Sequence, residues 1–276
     1  MIVLPILIIS FIQGFTEFLP ISSQGHNIFV AKYLDYSVIE LRTMNIIAHT
    51  GSLLAIIIYN YQIILRLLAS TKNFFRSDLD NYASLLKNLI LSTIPLFFFG
   101  YMITQYLNDA FFESLKLIGY SSIFFGFLLY IVDTNCLTIK SINRLEYKGA
   151  LIIGIFQSLA IIPGTSRAGM VITGLRLQGY NRFDAASYSN ILSIPAILGA
   201  IFYMLVNLNS YSFSGTEFEI WNIDSILLFL FSFIFSFIFI HFLLTWVKKR
   251  SFSIFMAYRI FFGLVILAYS YNYLNF

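Results

Sequence analysis

Charge is what this sequence has least of. Its 276 residues include 17 Lys or Arg and 13 Asp or Glu, together 11% of the chain, where soluble domains carry roughly 25%. A single water-soluble core stops growing near this length and needs a polar surface, so a chain that is 59% hydrophobic is excluded from that class. Cysteine is almost missing too. Cys136 stands alone, which excludes an internal disulfide, and no Cys/His cluster has the spacing of a structural zinc site. The first residues show little of a leader pattern: Met1 to Ser10 is apolar but has no basic start and no small-residue cleavage site, and is expected to be retained mature sequence. What remains fits the bilayer as solvent. Six helical crossings of about 20 apolar residues each leave about half of the chain for loops and shorter segments. The net charge of +4 then records topology, and no nucleic-acid partner is expected.

Long apolar stretches that could span lie at about 44–65, 84–106, 115–133, 186–206, 224–247 and 254–274. Two further apolar regions, 1–31 and 149–177, are broken by Pro20, Ser22, Ser23 and Gly25, and by Pro163, Gly164, Thr165, Ser166 and Gly169. Broken hydrophobic segments at corresponding places in two halves point to a binding site at the bilayer midplane in an inverted-repeat fold. The two regions can be overlaid. Phe11-Ile-Gln-Gly-Phe-Thr-Glu-Phe-Leu-Pro-Ile-Ser-Ser-Gln-Gly25 matches Ile155-Phe-Gln-Ser-Leu-Ala-Ile-Ile-Pro-Gly-Thr-Ser-Arg-Ala-Gly169, with Gln13 on Gln157, Pro20 on Pro163 and Ser23 on Ser166 after a one-residue gap.

Each half thus holds one interrupted hairpin and three crossings, and an odd number of crossings requires the halves to be inverted. The expected fold is an all-α polytopic membrane protein with six transmembrane helices and two re-entrant helical hairpins. It forms a single domain over 1–276, with halves 1–135 and 149–276. Placing connector 66–82 in the cytoplasm puts 136–148, 176–184 and 248–250 there as well. Those four carry 11 basic residues, Arg176 and Arg182 among them, against Lys32, Arg42 and Lys116 outside. Connector 207–223, with Glu217 and Glu219 and no basic residue, falls outside. Both termini are then exterior, and the hairpins enter from opposite faces.

In the first hairpin Gln13 and Glu17 are one helical turn apart and share a face. Pro20 ends that helix, and Ser22, Ser23 and His26 follow in the break. An ionisable group in such a segment is costly, and its default reading is functional; the alternative is a packing acid satisfied by backbone or water. The serines could equally be helix caps, and His26 a satisfied structural histidine. Ser23 with His26 three residues on could form a nucleophile–base pair, although no Gly-x-Ser-x-Gly elbow is present. The second hairpin supplies a cation. In Pro163-Gly-Thr-Ser-Arg-Ala-Gly169, backbone N–H groups, the hydroxyls of Thr165 and Ser166, and the fork of Arg167 can converge on a phosphate. The structural alternative is an Arg167 paired with Glu17 across the bundle. Together the two hairpins describe a phosphate-handling site inside a membrane.

On these motifs the sequence resembles the undecaprenyl-diphosphate phosphatases of the bacitracin-resistance type. The resemblance rests on Gln13-Gly-Phe-Thr-Glu-Phe-Leu-Pro-Ile-Ser-Ser-Gln-Gly-His26 and on Pro163-Gly-Thr-Ser-Arg-Ala-Gly169. Weaker echoes occur in His49-Thr-Gly-Ser-Leu-Leu-Ala55 and Phe255-Met-Ala-Tyr-Arg-Ile260. It implies a bacterial inner-membrane enzyme that cuts a polyprenyl diphosphate lipid to the monophosphate at a site open to the outer face, recycling the carrier for cell-wall synthesis. By motif it implies activity for Glu17, with Gln13 and Glu17 holding a divalent cation, Mg²⁺ or Ca²⁺. It also implies a nucleophilic Ser23, a functional His26 and a phosphate-binding Arg167, with Ser22, Gly164, Thr165 and Ser166 beside the phosphate. A homodimer is compatible with it. The chain departs from the second motif at Ala168, Met170 and Val171, where the family usually has Ser, Ala and Thr, so two hydroxyls are lost.

Two mechanisms fit these residues: attack on phosphorus by Ser23, or attack by water with His26 or Glu17 as base. In both, Arg167, the hairpin amides and any metal neutralise charge on the moving phosphoryl group. The competing class is a transporter that flips a phosphate-headed polyprenyl lipid. A channel is disfavoured by the lack of a carbonyl-filter repeat or a ring of like charges.

Overall fold

The computed structural model describes residues 3–34, 38–208 and 222–273. Its regular elements are helices, the form in which a chain in lipid satisfies its own backbone. In chain order they are α1 (Val3–Glu17), α2 (Ser23–Tyr33), α3 (Val38–Tyr59), α4 (Tyr61–Ser70), α5 (Asn81–Tyr106), the single turn α6 (Asp109–Phe112), α7 (Leu115–Asn135), α8 (Tyr147–Ser158), α9 (Arg167–Leu177), α10 (Arg182–Leu208), α11 (Ile223–Val247) and α12 (Ser253–Ser270). Six of these, α3, α5, α7, α10, α11 and α12, are long and apolar enough to cross a membrane. Five agree with the sequence pattern to within a few residues. The sixth is shifted, because the stretch at about 44–65 is cut at Asn60. There the side-chain amide donates to Ile56 O at 3.2 Å and the backbone leaves helical angles (φ −108°, ψ 22°), the competition with the helix that asparagine commonly offers. The crossing is therefore α3, and α4 follows as a separate helix.

Helix ends carry the expected caps. Asp80 accepts from the amides of Tyr82 and Ala83 ahead of α5, Ser114 from Leu117 ahead of α7 and Asn222 from Ser225 ahead of α11. Small residues bring helices together, as is usual without a hydrophobic drive between them: a Cβ on Gly263 of α12 would stand 2.8 Å from the carbonyl oxygen of Gly119 in α7. Of the two short broken units, α1 packs on α11 and α8 on α5. α9 is enclosed on all sides from Ala168 to Arg176, so whatever precedes it in the chain is held in the middle of the bundle.

Of two basic residues assigned above to a cytoplasmic surface, Arg176 is not a surface charge and Arg182 is only partly exposed. Arg176 is fully buried, its Nε 2.9 Å from Asp133 Oδ1, and Arg182 Nε lies 2.8 Å from the same oxygen. The backbone amide of Phe252, at the start of α12, donates to Asp133 Oδ2 at 3.1 Å. Both arginines lock α7, α9, α10 and α12 together, and the topological count rests on the remaining basic residues. Connector 207–223, with Glu217 and Glu219, lies mostly outside the described residues.

Candidate active site

Both broken units turn in the same way. After α1 ends at Glu17, Pro20 stops the helix and Ser22 takes φ 76°, ψ 93° before α2 begins. After α8, a short 3₁₀ turn (Leu159–Ile161) and Pro163 lead to Gly164 at φ 85° and Ser166 at φ 72°, ψ 112° before α9. The residue that shares the turn of Ser166 is Ser22 and not Ser23, one position off the gapped overlay. A positive φ is rare for a non-glycine residue and costs on the order of 1–3 kcal/mol, so its recurrence just ahead of α2 and α9 needs an external hold. Arg259 of α12 supplies one. It is wholly buried and donates from Nη1 to Pro20 O at 3.3 Å, from Nη2 to Gly164 O at 3.0 Å and from Nε to Ser122 O at 3.1 Å. The breaks also touch directly, since a Cβ on Gly25 would lie 3.7 Å from Gly164 Cα.

Glu17 stands where they meet. Ser23 Oγ donates to its Oε2 at 2.7 Å, Arg167 Nη2 lies 3.3 Å from its Oε1, and Gln13 Nε2 donates to Oε2 at 3.2 Å. His49 Nε2 approaches Oε2 at 3.6 Å, with its other ring nitrogen donating to Asn45 O at 2.8 Å. The remaining arm of Arg167, Nη1, donates to Ser189 O at 3.0 Å. Glu17, Ser22, Ser23, His49, Ser166 and Arg167 border one cavity of about 210 Å³. The ion pair that a purely structural arginine would make is therefore present, but it lies on the wall of a cavity beside a hydroxyl. Such an arrangement can bind an oxyanion at the guanidinium while the carboxylate receives a proton from the serine.

The other residues singled out from the sequence are placed as follows. His26 does not reach Ser23. Its Nδ1 donates to Ser22 O at 2.7 Å, which fixes the tautomer, and its Nε2 accepts from Tyr258 OH at 2.8 Å while the ring stacks on Phe262 at 3.6 Å. Both nitrogens are thus engaged away from the cavity, and the Ser23–His26 pair suggested by their spacing is replaced by Ser23–Glu17. Ser166 caps α9, accepting from Gly169 N at 3.2 Å. Thr165 is fully buried, does not border the cavity, and its hydroxyl has no hydrogen-bond partner among the described residues. Gln13 is also fully buried; its carbonyl oxygen accepts from Asn27 at 3.0 Å, so the amide nitrogen is the end that faces Glu17.

His49, Ser189, Tyr258 and Arg259 were not on the sequence-derived list of site residues. His49, Tyr258 and Arg259 fall inside the two weaker family echoes, which was the available signal; Ser189 takes part through its backbone alone and leaves none. Among the described residues no three His, Cys, Asp or Glu side chains come together as a metal cluster.

This is the architecture of an integral membrane protein with an acid, a hydroxyl and a guanidinium meeting inside the bundle. The family model described as bacitracin resistance protein BacA matches residues 6–265, and the chain belongs to that family. It is 36% identical over 271 residues, covering 98% of both chains, to a Pelagibacter ubique protein named undecaprenyl-diphosphatase. It is 33% identical to undecaprenyl-diphosphatase 1 of Clostridioides difficile over 95% of this chain and 94% of that one. A third relative, the undecaprenyl-diphosphatase of Aliivibrio salmonicida, is 33% identical over 95% of this chain and 96% of its own.

Proposed function

We propose that this protein is a membrane phosphatase that hydrolyses undecaprenyl or a similar polyprenyl diphosphate to the monophosphate and inorganic phosphate. This would return the lipid carrier to cell-wall synthesis in a bacterial inner membrane. The observation that carries the reading is the 2.7 Å hydrogen bond from Ser23 Oγ to Glu17 Oε2 on a cavity that Arg167 also lines. The names and coverage of the relatives support the substrate.

In this reading Arg167 releases Glu17 Oε1 and grips two non-bridging oxygens of the terminal phosphate, as a planar fork does best. Ser23 Oγ attacks the terminal phosphorus and its proton passes to Glu17. The Oγ–P bond forms as the P–O–P bond breaks, and the electron pair leaves with the lipid monophosphate. Glu17 hands that proton to the departing lipid monophosphate; water then attacks the phosphoserine, giving a proton to the freed carboxylate, which returns it to Ser23 Oγ as the Oγ–P bond breaks and phosphate departs. His26 is not the base here. With Tyr258 it braces the backbone at Ser22.

A divalent cation fits the donor set on one condition. One carboxylate and one carboxamide are few, but Mg²⁺ is commonly held by one or two carboxylates together with substrate phosphates. Glu17 would hold the ion, with Gln13 once its amide is turned over, and the ion would neutralise charge on the diphosphate.

The inverted repeat and re-entrant hairpins are part of the same proposal. They are supported by the positive-φ serine ahead of each second short helix, Ser22 before α2 and Ser166 before α9, and by the crosswise packing of α1 on α11 and α8 on α5. The proposed orientation keeps 66–82, 136–148 and 248–250 cytoplasmic, both termini exterior and the cavity open to the outer face. A homodimer is compatible with the reading.

Purified protein in detergent, given undecaprenyl diphosphate, should release inorganic phosphate, and Ser23→Ala should abolish the release. Flipping a lipid leaves no product without two compartments. A preparation that binds the lipid and releases no phosphate would favour the transporter.

A further inference from the structure

The cavity has an apolar wall that the chemistry above does not use. It is formed by Leu96 of α5, Ala160 and Ile161 of the second break, and Ala196, Ile197 and Ala200 of α10. None offers a phosphate a donor from its side chain. This wall lies where α5 and α10 meet only sparsely. The two helices are tied by a hydrogen bond between Ser92 Oγ and Tyr188 OH at 2.9 Å. Further along, the Phe97 ring rests on Gly199, where a Cβ would come within 2.7 Å of Cζ.

Under the proposed repeat the counterparts of α5 and α10 are α11 and α3, and that pair is sealed. A Cβ on Gly51 of α3 would stand 3.1 Å from Phe233 N of α11. Ser236 also donates to Ser52 at 2.9 Å, and Tyr59 OH meets His241 Nδ1 at 3.2 Å. The same helix pairing is thus closed in one half and loose in the other, and the loose one borders the cavity that holds Ser23.

We infer that the prenyl chain of the substrate leaves this cavity sideways into the bilayer between α5 and α10, over Ala196 and Ala200 and past Phe97 on Gly199. The inference rests on the phosphatase reading. A cavity of about 210 Å³ is smaller than the roughly 300–1,000 Å³ that encloses a drug-sized ligand. A long hydrocarbon tail must therefore extend outside it, and bilayer lipid is the solvent that receives it. Ala196 and Ala200, one turn apart on the same face, leave a groove where larger side chains would fill it. Phe97 is a single rotatable ring over a glycine, so it can swing aside while the backbone stays in place. A wider apolar depression of about 670 Å³, lined by Leu117, Phe124 and Ile260 among others, shares no lining residue with the catalytic cavity, and a tail lying there would not be continuous with a headgroup at Ser23.

The test compares kcat/KM for phosphate release from undecaprenyl diphosphate and from farnesyl diphosphate on the same purified sample, so that any loss of folded protein cancels in the ratio. Ala200→Phe, and the milder Ala196→Leu, should lower the long-to-short ratio roughly tenfold, equivalent to losing the burial of about two methylene groups. Phe124→Trp, in the wider depression, should keep the wild-type ratio. A wild-type ratio in both alanine variants, or a lowered ratio in Phe124→Trp, overturns the lateral exit and leaves the phosphatase reading intact. Release of phosphate from neither substrate by the unmodified protein removes that reading and the exit with it.

Discussion

Arg167 and Glu17 neutralise each other across the two breaks, Nη2 to Oε1 at 3.3 Å, with the same nitrogen 3.5 Å from the carbonyl oxygen of Glu17. The cavity therefore holds one acid and one cation whose contact a phosphate must divide. A point charge cannot reproduce two parallel hydrogen bonds to a phosphoryl group, so Arg167→Lys should fail almost as badly as Arg167→Ala. Each should lose roughly 10²–10³ in kcat, or about 3–4 kcal/mol, as for the removal of an oxyanion donor. Near-normal turnover of the lysine variant in a phosphate-release assay would separate Arg167 from the reaction. If Ser23 and Arg167 act in one step, the double alanine variant should be far less impaired than the product of the two single losses.

Glu17→Gln should remove most activity, about 10²-fold or more, because Ser23 loses its proton acceptor. The protein should still be recovered from the membrane as a folded species, which size-exclusion in mild detergent would check. Gln13→Glu should be tolerated and should sharpen dependence on added Mg²⁺ or Ca²⁺. Wild-type turnover in Glu17→Gln would return Glu17 to a packing role.

Arg259 touches no atom of the cavity, yet three of its nitrogens hold the carbonyls of Pro20, Gly164 and Ser122. It is a positioning residue. Arg259→Lys can satisfy fewer of these oxygens and should lower kcat roughly tenfold or more while KM changes little, since the headgroup contacts are elsewhere. A variant whose only change is in thermal stability would make the role purely structural.

At the far end of α9 the Asp133 carboxylate is shared by Arg176, Arg182 and the amide of Phe252. Asp133→Asn leaves a fully buried arginine short of its counter-charge and should destabilise the fold by about 3–5 kcal/mol. Denaturation midpoints in detergent would measure it, and a midpoint equal to wild type would mean that water or backbone satisfies Arg176 unaided.

Orientation can be read with thiol labelling in a Cys136→Ser background. An Asn108→Cys thiol, between α5 and α6, should react with an impermeant maleimide from outside. A Ser141→Cys thiol, between α7 and α8, should react only after permeabilisation. The reverse pattern would invert the proposed topology.

Much of the fold was legible because spanning helices announce themselves by length and apolarity, and the two broken segments by their Pro, Gly and Ser. The one-turn spacing of Gln13 and Glu17 gave their contact, and the Arg167–Glu17 pair, read from the sequence as the structural alternative for Arg167, is present across 150 residues. Local spacing failed where tertiary partners decide. His26 looked like a base for Ser23 by proximity, but Tyr258 and Phe262 of α12 claim its ring. Arg176 reads from the sequence as a connector charge, but Asp133 of α7 holds it fully buried, with the partly exposed Arg182 on the same carboxylate. No sequence period could have shown that Arg259 reaches both breaks, because its three acceptors are backbone carbonyls.

The reach of Arg259 also sets an order of events during synthesis. α12 follows every other described helix in the chain, so it is the last of them to leave the ribosome. Until it enters the membrane, the carbonyls of Pro20 and Gly164 lack the guanidinium that bridges them, and the left-handed turns at Ser22 and Ser166 stand without their common brace. A nascent chain halted after α11 would contain Glu17, Ser23 and Arg167 and still lack the guanidinium that joins the two breaks.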